Sequence, residues 1–162
     1  MLRGIVRGMV AGAIGALTLN VVTYADMAMR GRPSSDAPAK LADILAKKAG
    51  IDLSGGKRGD DANEQIRNRQ SGLGALLGYA TGLGIGSIYG GLRASADQTS
   101  KPIASLTLGL VAIATSDVPL TVYGLTEPTK WTRAEWIADL VPHLAYGVMT
   151  AAVCDALTPD RP

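Results

Sequence analysis

Apolar and polar positions along this chain separate into long blocks and do not alternate over a short period. Apolar stretches run from Gly4 to Ala25, Ser71 to Leu92, Pro102 to Leu125 and Asp139 to Leu157, and most of the charges lie between them. Each block is close to the ~20 residues that carry a helix across a ~30 Å hydrocarbon core. The second block contains Gly74, Gly78, Gly82, Gly86 and Gly90 at a strict spacing of four, bounded by Arg69 and Arg93. In water each glycine inside a helix costs roughly 1 kcal/mol against alanine. In lipid, small residues one turn apart let a neighbouring helix approach to backbone contact. Gly8, Gly12 and Ala16 continue the spacing in the first block. The pattern predicts an all-α polytopic membrane protein with about four transmembrane helices, glycine-zipper packing and short interfacial helices.

The segments between the blocks carry helix signals of their own. The first span ends in Arg30-Gly31-Arg32-Pro33, where glycine and proline stop a helix and arginines mark the headgroup boundary. In the polar loop 33–61, Asp36 is placed to cap a short helix with Pro38 in its first turn and Leu41, Ile44 and Leu45 on one face. Lys40, Lys47 and Lys48 flank that face, so the helix either lies on the membrane surface against anionic lipid or covers the loop side of the bundle. Ser54 to Gly59 reads as a flexible turn, and Asp61 with Glu64 starts a helix from Ala62 through Leu92. Ala94 to Lys101 is a short turn. Thr132 and Glu135 form a second capping box, followed by a helix with Trp131 and Trp136 at headgroup level and a bend at Pro142. The first and third loops hold most of the Lys and Arg, which by the positive-inside rule puts both termini outside the cytoplasm.

Composition narrows the class. The chain has 162 residues, 47% of them apolar, and a net charge of +2, which suits one integral membrane domain over residues 1–162. Its basic residues form no aromatic-interleaved patch, so nucleic acid is not an expected partner. Phe is absent, so a water-soluble fold would lack a large aromatic core. Arg3 and Arg7 before an apolar run, with Ala25-Asp26-Met27-Ala28 after it, imitate a secretion signal, but a discarded segment has no use for Gly8 and Gly12. Cys154 is single and lies among alanines, which favours a packed thiol over a nucleophile. Ala-rich, Gly-rich, Phe-free usage points to a GC-rich bacterial source.

Ionisable groups inside a bilayer cost on the order of 2.5–3.5 kcal/mol each and therefore need a reason. Asp26 ends the first span after Asn20, and Asp117 lies in the third, two positions before Pro119. Asp139 and His143 are one turn apart on the fourth, in a stripe with Tyr146, Gly147, Thr150 and Cys154 that must face protein or water. The Asp139–His143 pair is either a proton relay or a structural pair directed at Asn20 or Asp117. Asp117, with Thr115, Ser116 and Thr121 beside the proline, either lines a small hydrated cavity or ends the helix near the interface. One His limits metal sites, and no metal or other cofactor is expected. Ser54-Gly55-Gly56-Lys57 has the spacing of a Ser-Lys nucleophile pair but sits in a glycine turn, and Gly82-Leu83-Gly84 lacks the third glycine of a dinucleotide fingerprint. No enzymatic activity is expected.

Val118-Pro119-Leu120, Gly124-Leu125-Thr126-Glu127-Pro128, Trp131 and His143-Leu144 together resemble the last two spans of the YagU-like bacterial inner-membrane proteins, as Arg30-Gly31-Arg32-Pro33 resembles the end of their first. The resemblance implies a multi-pass inner-membrane location, an association with stress or acid tolerance, no transferable catalytic residues, and termini inside, opposite to the charge count. The long first loop departs from the family. The leading expectation is a small membrane protein acting through helix–helix association, as a homo-oligomer or an accessory subunit, with Gly8, Gly12, Gly74, Gly78, Gly82, Gly86 and Gly90 as packing residues. The alternative is a small transporter or proton-conducting protein using Asp117, Asp139 and His143.

Overall fold

The computed structural model describes residues 1–55, 60–95 and 100–158, and among them helices are the regular structure. In chain order they are α1 (Leu2–Arg30), α2 (Ala37–Lys48), α3 (Asp60–Ser95), α4 (Lys101–Val122) and α5 (Arg133–Leu157), with a single 3₁₀ turn at Pro128–Lys130 before α5. Four of them, α1, α3, α4 and α5, are long and apolar enough to cross a membrane. The protein is an all-α polytopic membrane protein. α1 and α3 extend beyond their apolar blocks, α1 ending at Arg30 and α3 beginning in the polar run from Asp60. As expected, α3 is continuous from the polar loop through the glycine row. The side chains of Asp61 and Ala62, and residues 56–59 and 96–99 of the two expected turns, lie outside the described residues.

Local chemistry sets the helix ends. Gly31 closes α1 in the left-handed region, φ 64°, and its N–H reaches the Met27 carbonyl at 2.8 Å. The Thr132–Glu135 box forms in full. The Glu135 N–H donates to Thr132 Oγ1 at 3.3 Å, and the Thr132 N–H to Glu135 Oε2 at 2.7 Å. Asp36 occupies the cap position of α2 but does not cap it. Its backbone is already near-helical, φ −92° and ψ −5°, so its carboxylate pairs with Lys40 at 2.7 Å instead. Ser35 Oγ accepts the Ala37 N–H at 3.3 Å. α5 runs unbroken through Pro142, which is buried.

α1 packs between α3 and α5, and α4 packs on α5. The α1–α3 seam is antiparallel and made of backbone. A methyl group on Gly4 would lie 2.5 Å from the Gly90 oxygen, one on Gly90 would lie 2.6 Å from Gly8 Cα, and one on Gly86 would lie 2.7 Å from Gly12 Cα. Gly82 faces Ala16 and the Tyr146 ring. Gly74 leaves this seam and meets the Pro38–Ala39 backbone of α2 at 2.9 Å. Gly78 corrects the expectation, because nothing lies within 4 Å of its vacant side-chain position. One turn separates the α2 contact from the α1 contact, and none of the described helices fills the gap.

Large apolar side chains such as Leu17, Val21, Leu76, Ile88, Leu106 and Val148 point outward, and the buried core is mostly Ala with a few Leu. Between 17% and 33% of each span's apolar window is buried within the protein, so most of its hydrophobic surface is left for lipid. α2 covers one end of the bundle, with Ala37 and Leu41 against Leu120, Leu77 and Tyr123. Its buried face is Ala37, Leu41, Ala42 and Ala46; Leu45 is exposed and Ile44 half-buried, because alanines allow the closer approach to α3. Its lysines have partners within the chain. Lys47 bonds Asp43 at 2.6 Å and holds that carboxyl below the usual range, while Lys48 bonds Tyr123 Oη at 2.8 Å.

Replacing Gly8 or Gly86 by leucine should lower stability in detergent by at least about 1–3 kcal/mol, the scale of overpacking. Gly78→Leu should leave it unchanged. Thermal unfolding followed by circular dichroism checks this, and equal effects at Gly78 and Gly86 would refute the seam.

Candidate functional site

α4 and α5 approach as closely as the glycine seam. A side chain on Gly147 would stand 2.6 Å from Gly109 N, and one on Gly109 would stand 3.0 Å from Leu144 Cδ2. Neither glycine belongs to the row of four-residue spacing. Their contact brings the Ser116–Asp117 end of α4 against Asp139 and His143 near the start of α5. By helix rise, both carboxyls lie roughly 8 Å inside the ends of their helices. The expected stripe on α5 faces protein, with Tyr146, Thr150 and Cys154 essentially without solvent contact.

His143 is held from both sides. Its Nδ1 faces the Asp139 carbonyl at 2.8 Å and Asp139 Oδ1 at 3.4 Å. A carbonyl only accepts, so Nδ1 carries a hydrogen. The Nε2 lies 3.3 Å from Ser116 Oγ, which also reaches Asp117 Oδ1 at 3.3 Å and donates to the Ile113 carbonyl at 3.0 Å. Ser116 and His143 therefore link the Asp117 carboxyl of α4 to the Asp139 carboxyl of α5. Asp139 Oδ2 is enclosed with no hydrogen-bond partner. An apolar groove of about 300 Å³ between Thr121, Val118, Pro128 and Trp136 opens onto Asp117. Thr115 does not join the group, because its hydroxyl bonds back to the Val111 carbonyl at 2.7 Å. Trp136 packs edge-on against Trp131, with ring centroids 5.0 Å apart.

Asn20 and Asp26 lie elsewhere. Asn20 donates to Tyr79 Oη on α3 at 2.9 Å and is not the partner of Asp139 or His143. Asp26 bonds Arg30 at 2.6 Å and Arg32 at 2.5 Å, and Arg30 reaches the Ala134 carbonyl at 3.3 Å, so this group ties the end of α1 to the start of α5. Asp139 and His143 therefore pair with the α4 residues, one of the two arrangements the sequence left open.

Two further polar contacts were not legible. Tyr146 Oη donates to the Gly82 carbonyl at 2.7 Å, in a socket completed by Gly15. At the opposite end, Arg93 of α3 pairs with Asp155 of α5, both about nine-tenths buried, and Lys101 stands 3.7 Å away. An acid and a base near the ends of two spans that finish on the same face were the available signal. Cys154 is a buried free thiol. Among the described residues no three His, Cys, Asp or Glu side chains are grouped to hold a metal ion. Comparison with family models, with curated proteins and with solved structures returns no match.

Removing one partner of the buried Arg93–Asp155 pair leaves an uncompensated charge. Arg93→Leu should cost about 3–5 kcal/mol, and Arg93→Leu with Asp155→Leu should recover most of it. Denaturant unfolding in micelles measures both, and an additive double variant would show that the pair is not coupled.

Proposed function

We propose that this protein is a bacterial inner-membrane protein that acts by association with other membrane helices, as a homo-oligomer or as an accessory subunit of a larger complex. The open side-chain position at Gly78 carries the reading. Gly74 is covered by α2, and Gly82, Gly86 and Gly90 are covered by α1, so Gly78 is the member of the row left for a helix from outside. Leu76 and Tyr79 beside it are exposed, which supplies apolar surface around the small-residue gap. The bacterial source and inner-membrane location rest on composition and on the likeness to YagU-like proteins.

Cysteine crosslinking in native membranes tests the reading. Gly78→Leu should remove the crosslinked species while the monomer stays folded, and undiminished crosslinking would overturn it. Gly82→Leu is expected to disturb the monomer itself, since Gly82 faces Ala16 and Tyr146.

Transport or proton conduction is the second reading, favoured by the gathering of Asp117, Asp139 and His143 in one place. pH-dependent flux into liposomes should then be present in the wild type and lost in His143→Ala. Equal flux with and without the protein would dismiss it.

A further inference from the structure

Three titratable groups and an enclosed acceptor atom meet inside the α4–α5 pair, and their charges do not balance as ordinarily drawn. With both carboxyls ionised and the imidazole neutral, the group would carry two negative charges within the bilayer, where uncompensated charge is strongly disfavoured. Two ionised carboxylates linked through one imidazole and one hydroxyl also repel, and a single proton taken up by the pair removes the conflict. Asp139 Oδ2, enclosed and without a partner, is an oxygen free to carry that proton. One negative charge remains, and His143 can offset it.

We propose that Asp117, Asp139 and His143 form a proton-binding site in which the two carboxyls together hold one proton and a second, exchangeable proton sits on Nε2 of His143. The hydrogen bonds accommodate both forms of the ring. With Nε2 protonated, Ser116 Oγ accepts from it and donates to the Ile113 carbonyl; with Nε2 bare, the same hydroxyl turns and donates to Nε2. On release, the Nε2–H bond breaks, its electron pair stays on nitrogen, and the proton passes through Ser116 to Asp117 and into water at the groove. Nearby charges are engaged otherwise. Asp26 is bound to Arg30 and Arg32, Glu135 to Thr132, Lys130 to Glu127, and Lys48 to Tyr123. The proposal uses the site of the conduction reading but does not require that a proton cross the membrane.

His143 is the single histidine of the chain, so nitrogen NMR of ¹⁵N-histidine-labelled full-length protein in bilayers observes it alone. The expected result is a titrating Nε2 together with an infrared band of a protonated carboxyl that shifts in D₂O. Asp117→Asn combined with Asp139→Asn should lower the imidazole midpoint by about one pH unit or more, since together they remove the one negative charge that favours the cation. Asp139→Asn should abolish the carboxyl band. A wild-type imidazole that stays neutral across the range, or midpoints identical in wild type and the double variant, would overturn the proposal. So would displacement of the proton by sodium at fixed pH. Should either variant lose its helical content, the wild-type titration and carboxyl band decide alone. Absent flux with intact titration dismisses conduction only, whereas flux without titration at His143 dismisses this site.

Discussion

A side chain on Gly8 would overlap the Gly86 carbonyl, and one on Gly86 would overlap the opposing backbone of Gly8 and Gly12, so α1 and α3 are held at a distance that only glycine permits. The rest of the bundle inherits this spacing. With α1 drawn against α3, Gly15 faces Tyr146 and Thr150, and the Tyr146 hydroxyl reaches a carbonyl of α3. Inside lipid there is no hydrophobic gain from burying one apolar helix against another, so close van der Waals contact and such interhelical hydrogen bonds supply the cohesion. The outward residues are correspondingly large and apolar, while the inward ones are mostly alanine and glycine with a few Leu and Tyr146.

The same device, repeated with Gly109 and Gly147, places the polar group of α4 and α5. Close helices bring short side chains into hydrogen-bond range, which is why Ser116 and Asp117 can meet Asp139 and His143. Packing and chemistry are therefore not separable in this protein. The glycines that bind α4 to α5 also set the geometry in which an imidazole and two carboxyls share protons. At the other end of the bundle, Arg93 and Asp155 neutralise each other between α3 and α5, so the two ends handle buried charge differently: one by an ion pair, the other by two carboxyls gathered around one imidazole.

Not every small residue is used within the chain. Gly78 stands in the same row as its neighbours but at the point where α3 passes from α2 to α1. Its exposure follows from the reach of those two helices and not from any local property of the sequence around it. The lysines of α2 make the complementary point. Their spacing suited either a strip for lipid headgroups or a cover for the loop side of the bundle, and carboxylates one turn away and the Tyr123 hydroxyl engage them within the chain.

The sequence by itself determined the class and span positions, since a ~20-residue apolar block has few fates other than a membrane helix. It also determined the Thr132 cap, the long uninterrupted α3 and the inward stripe of α5, because these depend on residues within a turn or two of one another. Only the tertiary structure decided which glycines touch what, that Asn20 belongs to Tyr79, and that Arg93 belongs to Asp155. Periodicity specifies a face but not its partner: four helices with small-residue faces can be paired in several ways, and the choice rests on long-range contacts that no local spacing records.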